Sequence, residues 1–350
     1  MRPDGIYVVG VGAQTPVGRS VGSAAAAVKC GISAYAEHGS VTDKHGEPVV
    51  VAQADWLQEM CPLAERILTF AVDAAREALT PLTSNSHSLR DVTMYLVLSA
   101  DNLPEPARRE EVLRSLQERL GFAPGDQAAL VAEGPTGGFV ALENACRALR
   151  TGEATHCLVG GADSWLDANQ LRALDRSGRL HSTRNSWGFT PGEGAGFLLL
   201  TTGTGALRLG LPGLAEIVAV ANAQESKLLG TQTVCIGEGL TAAFRGVLSP
   251  ALPVTHCYCD FNGETYRAEE YGFSVCRTGE CFQDAGRFTA GAECWGDVGS
   301  ASAPLGMVLA TASFKNLSRG PVALVWGSGA SHPGRGAALL RALRLEEGRN

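Results

Sequence analysis

Charge is scarce in this chain. Only 19% of its 350 residues are Asp, Glu, Lys or Arg, and 29 basic residues face 36 acidic ones for a formal net charge of −7. Nucleic-acid binding needs a basic face to meet the phosphates, so that class of function is excluded as an expectation. No stretch approaches the roughly 20 consecutive apolar residues of a membrane-spanning helix. The apolar run at 6–12 follows an acid, Asp4, and is too short for a secretory signal with its cleavage site. The ten cysteines are scattered and lack the dense spacing of a disulfide-stapled secreted scaffold. A soluble, cytoplasmic protein with reduced thiols is expected. Glycine is abundant, at 43 residues, but shows no Gly-X-Y period, which excludes collagen.

What is present is enough for a large core. Hydrophobic residues make up 45% of the chain, so wholesale disorder is excluded. Short apolar runs at 6–12, 94–98, 157–162, 196–200, 217–223, 256–260 and 322–327 read as strands, several of them covered on both faces. Between them, 61–79 carries Leu63, Ile67, Leu68, Ala71, Ala75 and Leu79 on one helical stripe. Further helices are expected at 106–120, 138–149, 240–248 and 299–312, the second and last of these rich in small residues. Alternating strands and helices predict an α/β protein. A weak internal repeat sharpens this: 133–149 (EGPTGGFVALENACRAL) matches 296–312 (GDVGSASAPLGMVLATA), and each is followed by a strand ending in glycines. Two such units packed face to face would bury both small-residue helices at the centre, with a seam near 201–213, giving halves 1–205 and 206–350.

These features resemble the β-ketoacyl-[acyl-carrier-protein] synthase branch of the thiolase superfamily. The most specific segment is RNSWGFTPGEGAGFLLL at 184–200, supported by VVGVGAQTPVG at 8–18, LRTGEATHCLVGGADS at 149–164 and ALVWGSGAS at 323–331. The resemblance implies a thiolase-like fold, layered α-β-α-β-α with two duplicated halves. It also implies a nucleophilic cysteine at a strand-to-helix elbow and two histidines that assist decarboxylation and stabilise an oxyanion. Counted along the matching segments, those positions hold Pro135, Asn262 and Asp297. Proline has no nucleophile, asparagine cannot shuttle a proton, and a carboxylate carries the wrong sign beside a developing oxyanion. Thr136 is the one hydroxyl at the elbow, and Phe189 and Trp326 are expected to line the former pocket with it.

The expected function is therefore a β-ketoacyl-synthase-like protein without decarboxylative condensation, acting as an acyl- or carrier-binding or scaffold partner. The alternatives are an acyltransferase or thioester hydrolase using Thr136, Asn262 and Asp297, or an active 3-oxoacyl synthase with displaced residues. By resemblance the chain forms a homodimer or a heterodimer with a related subunit, and its partner is an acyl carrier protein or acyl thioester. No cofactor is expected. The histidines are dispersed along the chain, and Glu193 reads as a structural acid beneath a glycine-rich turn. Six cysteines between 235 and 294, with His256, raise zinc as a possibility, but C-x-C and C-x4-C spacings suit buried thiols better than a zinc ribbon.

Overall fold

The structure, a computed structural model, describes residues 1–58, 61–123, 127–228, 231, 233–314, 321–330 and 332–343. The first half of the chain runs β1 (Ile6–Gln14), α1 (Val21–Cys30), β2 (Tyr35–Thr42), β3 (Pro48–Ala52), α2 (Leu63–Thr83), β4 (Val92–Val97) and α3 (Pro106–Leu120). It continues through β5 (Ala128–Val131), α4 (Gly137–Thr151), β6 (His156–Ser164), α5 (Ala168–Arg176), β7 (Glu193–Thr202) and α6 (Gly203–Leu209). The remainder runs β8 (Ala215–Gln224), α7 (Glu238–Val247), β9 (His256–Cys259), α8 (Thr265–Thr278), β10 (Phe288–Ala290), α9 (Ala292–Trp295), α10 (Ser302–Ser313), β11 (Val322–Ser328) and β12 (Gly334–Ala342).

Uninterrupted apolar runs become interior strands: β1 and β6 are buried at all nine positions. Their side chains meet protein on both faces, which is why no polar alternation marks them. Ten strands form one sheet in the order β10-β9-β11-β12-β8-β1-β7-β6-β4-β5. Outward from the β1–β8 junction both sides read alike. Two antiparallel steps (β7 then β6, β12 then β11) precede two parallel ones (β4 and β5, β9 and β10).

The hydrophobic clusters resolve this sheet into layers. One cluster joins Leu142 and Ala145 of α4, and Leu305 and Val308 of α10, to the inward residues of strands from both halves. A second packs α2 and α3 on the outer face of the first five strands, and a third packs α7 and α8 on the outer face of the other five. The order is helix, sheet, helix, sheet, helix, as expected. Close approach at the centre depends on small residues. A methyl group on Gly138 of α4 would stand 2.8 Å from Cβ of Ala303 in α10. Both central helices are entered through a short 3-10 turn, Gly134–Thr136 and Gly299–Ala301.

The sequence places α3 at its observed bounds; β1, β6, β7, β8, β11 and α4 extend beyond the expected spans, β9 is one residue shorter, and β4, α2, α7 and α10 are shifted by one to four residues at their ends. α2 continues past 79 to Thr83 with Pro81 inside it, where the Thr80 and Thr83 hydroxyls bond back to the carbonyls of Arg76 and Leu79. Elements without a long apolar run, such as α1, α8 and β12, are additional. Of the glycine-rich segment 323–331, Ser331 lies outside the described residues, as do 344–350 of the second half.

Candidate functional site

The elbow before α4 starts at Gly134, whose φ of +57° is natural only to glycine. Pro135 is half-buried, and Thr136 is only 2% exposed. The Thr136 hydroxyl donates back to the carbonyl of Glu133 at 3.2 Å, so its proton is engaged by its own turn. Among the described residues no thiol stands at this turn. The next cysteine in the chain, Cys146, lies within α4 among core side chains, and burial pushes its thiol up to about 12.

Asn262 and Asp297 are brought together. Asn262 Nδ2 donates to Asp297 Oδ2 at 2.7 Å and to Glu264 Oε2 at 3.1 Å, while its Oδ1 accepts the Glu264 amide at 3.0 Å. Every polar group of that side chain is committed. Asp297 also accepts from Trp165 Nε1 at 3.1 Å, from the Gly299 amide at 2.8 Å and from Arg267 Nη2 at 3.5 Å. Arg267 is buried and bonded to Asp260, the residue that follows β9. Burial works against its charge, but Asp260, Asp297 and Glu264 outweigh that and hold it cationic. Arg179 closes the network with a bidentate pair to Glu264 at 2.7 and 3.0 Å.

Three carboxylates (Asp260, Glu264, Asp297) thus share two guanidinium groups. The excess negative charge registers on neighbours: burial raises Asp260 above the usual carboxylate range despite Arg267, and Asp297 adds to the rise. Buried Asp163, at the end of β6, is pushed up to about 6 for the same two reasons. An oxyanion placed here would meet carboxylates, and the Asn262 amide N–H groups are already spent on two of them.

Phe189 and Trp326 do not line an open pocket. Phe189 is fully buried against Trp165, with ring centroids 5.5 Å apart, and the Arg179 guanidinium covers it at 5.1 Å. On β11, inward Val325 alternates with outward Trp326, so the indole points into the outer layer and stacks on Tyr271 at 5.1 Å. The pleat decides this: residues two apart share a face, and Trp326 sides with Leu324. The cavity beside Asp297, walled by Asp260, Trp295 and Leu309, encloses about 20 Å³, the space of one water. A larger cleft of about 300 Å³ between α1 and β10 is lined by Val28, Phe288, Glu293 and Cys294, and by none of the expected site residues.

Several groups were not singled out from sequence. Arg66 forms a buried pair with Glu193, the structural acid, from 127 residues away. Arg267, Glu264 and Arg179 surround Asn262 although nothing in their local sequence marks them. His332 stands beside the elbow: a methyl group on Gly134 would lie 3.3 Å from its Cδ2, and its Nε2 meets Asp101 Oδ2 at 3.2 Å. Dispersed histidines carry no such signal until the chain is folded. The cysteines of 235–294 do not converge on a metal: among the described residues no three His, Cys, Asp or Glu side chains form a metal-holding group. Cys257 is buried and receives the Tyr271 hydroxyl at 3.5 Å, and burial raises its thiol to about 11.

Comparison with solved structures defines the class. The fold is that of the ketosynthases. It matches the ketosynthase in the AntDE:AntF complex with a type II polyketide-synthase acyl carrier protein at a TM-score of 0.79 and 17% identity, over 98% of this chain and 100% of that one. The ishigamide ketosynthase/chain length factor gives 0.77 and 16%, over 97% and 99%. The ketosynthase from module 6 of the bacillaene synthase of Bacillus subtilis 168 gives 0.78 and 14%, over 97% of this chain and 72% of that one. In sequence, residues 125–206 match the family described as beta-ketoacyl synthase, N-terminal domain. A highly reducing polyketide synthase, sorA of Penicillium rubens, is 30% identical over 135 residues, a match that covers 36% of this chain and only 5% of that protein. The chain has the thiolase-like fold of these ketosynthases, and its sequence is similar to the β-ketoacyl synthase family over residues 125–206. Among the described residues, no helix is long and apolar enough to cross a membrane.

Proposed function

We propose that this chain is a non-condensing ketosynthase-like protein. It binds an acyl carrier protein or its acyl thioester as a scaffold partner in the cytoplasm, as a homodimer or beside a related subunit. Its halves, 1–205 and 206–350, are the two copies of one duplicated unit. The observation that carries this reading is the commitment of Asn262 and Asp297 to each other and to Glu264 and Arg267. By the resemblance, Asn262 and Asp297 hold the positions where the family's reaction needs a proton shuttle and an oxyanion donor, and their mutual hydrogen bonds support the reading. Pro135 at the elbow and the inward-turned hydroxyl of Thr136 support it from the other side. A carrier partner is supported by the likeness to a ketosynthase seen with its carrier protein.

The test is direct. Purified protein is incubated with malonyl-carrier protein and with acyl thioesters, while released CO2 and the intact protein mass are followed. The expected outcome is CO2 at the background rate and an unchanged mass, with the carrier protein retained in a binding assay. CO2 release above background would restore a condensing enzyme with displaced residues. A covalent adduct that disappears in Thr136→Ala would establish an acyltransferase or hydrolase instead.

A further inference from the structure

We propose that Asp101 and His332 form a latch that closes the elbow at Pro135, fastened while the imidazole carries its second proton and released when it does not. The latch is built from the second half of the chain. Buried Arg335 donates through Nη1 to the carbonyls of Gly329, His332 and Gly334 at 2.9, 3.0 and 2.9 Å. Its other nitrogens are held by Glu270 at 2.7 and 2.6 Å, and the Ser328 hydroxyl donates to the same carboxylate at 3.0 Å. Arg335 therefore ties down the carbonyls on both sides of His332, whose ring stands beside the elbow. A methyl group on Gly334 would stand 2.4 Å from Thr136 Oγ1, and one on Gly134 would meet His332 Cδ2 at 3.3 Å and Nε2 at 3.7 Å.

Across the elbow the imidazole meets Asp101, which lies 231 positions away in the loop after β4. The contact ties a loop of each half together over the turn. The same geometry argues against His332 as a general base. The ring edge nearest the elbow carries Cδ2 and Nε2, and Nε2 is occupied by Asp101.

The groups facing the ring set the direction of the switch. Asp101 and Glu133 favour the imidazolium, while burial and Arg179 oppose it, and the net effect raises His332 above its usual value. His332 in turn lowers Asp101. The ion pair is therefore intact at mildly acid pH and is lost as the pH rises through the raised histidine value. Side-chain exposures of 34% and 51% make it a weak pair, which suits a contact that must release.

That the latch excludes a carrier-borne acyl group rests on the function proposed above; the closure itself does not. Its test needs no carrier protein. Pro135→Cys places a reporter thiol at the elbow, and its alkylation by iodoacetamide is read by peptide mass and corrected for each protein's thiolate fraction. Near pH 6, adding His332→Ala should speed alkylation by about fivefold, the most that a weak exposed ion pair can hold back. The ratio should fall to about one near pH 9, where the parent latch is already open. His332→Lys, a cation that stays charged in this range, should keep alkylation slow at both pH values. Asp101→Asn should behave like His332→Ala and serves if that variant does not fold. Equal corrected rates in all these proteins would overturn the latch. Failure to retain a carrier protein would overturn only the proposed function.

Discussion

Two of the buried ionic networks in this fold are completed to different degrees. Glu193 accepts from the Ala54 amide at 2.9 Å, from Arg66 Nη2 at 3.0 Å, from Arg66 Nε and from the Ser164 hydroxyl at 3.1 Å. Arg66 Nη1 donates to the Gln58 carbonyl at 2.9 Å. The network around Arg267 is less complete. Asp260 Oδ1 and Arg267 Nε are buried and make no hydrogen bond, and three acids share two cations. The first network underlies the segment 184–200, the most specific sequence match. The second stands where the family's histidines are expected. A buried charge survives when every polar atom is met. The contrast therefore separates a network in which the carboxylate and guanidinium are fully met from one that leaves buried polar atoms unmet.

Breaking the complete network should cost most. Arg66→Met leaves the Glu193 carboxylate buried without a cation and should lower unfolding free energy by about 3–5 kcal/mol, read from urea midpoints. Arg267→Met should cost less, about 2 kcal/mol at neutral pH, because the acid it abandons can neutralise itself. Asp260 already has a raised folded-state value, so the protonated form favours the native protein and that advantage fades as pH rises. The Arg267→Met deficit should accordingly shrink on going from about pH 7 to about pH 5, whereas a deficit constant with pH would contradict this assignment. Adding Asp260→Asn to Arg267→Met should return stability to within about 1 kcal/mol of the parent, since the pair leaves with its unmet atoms. A double variant as unstable as the single one would remove the distinction between the two networks.

Much of the scaffold was legible because it is local. Continuous apolar runs announce interior strands, and Pro106 at the start with Gly121 at the end delimit α3 at its observed bounds. The internal repeat was legible because both central helices must be small-sided. β12 carries only a four-residue apolar run, Ala337–Leu340, between arginines, and α8 lies in a polar stretch, so their burial comes from neighbours made elsewhere in the chain. The site was less legible still. Pro135, Asn262 and Asp297 could be found by counting along matched segments, but their partners could not. Arg179 lies 85 positions from Glu264, and Asp101 lies 231 from His332. Trp326 shows the limit from the other side, because a glycine-rich neighbourhood suggested a pocket and the strand's pleat turned the ring into the outer core.

The duplicated halves offer the finest comparison, one glycine in each central helix. A methyl at Gly138 would lie 2.7 and 3.1 Å from the Pro304 ring and 2.8 Å from the Ala303 methyl, neither of which can turn aside. Gly138 also sits in the first turn of α4, where alanine gains little. Gly138→Ala should cost about 2 kcal/mol. At Gly306 the added methyl meets one group within 3 Å, Val325 Cγ1 at 2.9 Å, and Tyr258 only at 3.9 Å. That position is interior to α10, where alanine is favoured over glycine by about 1 kcal/mol. The gain offsets the strain, and Gly306→Ala should leave the melting curve within about 1 kcal/mol of the parent. Equal losses at the two positions would mean that α10 is pressed as tightly on β11 as α4 is on α10.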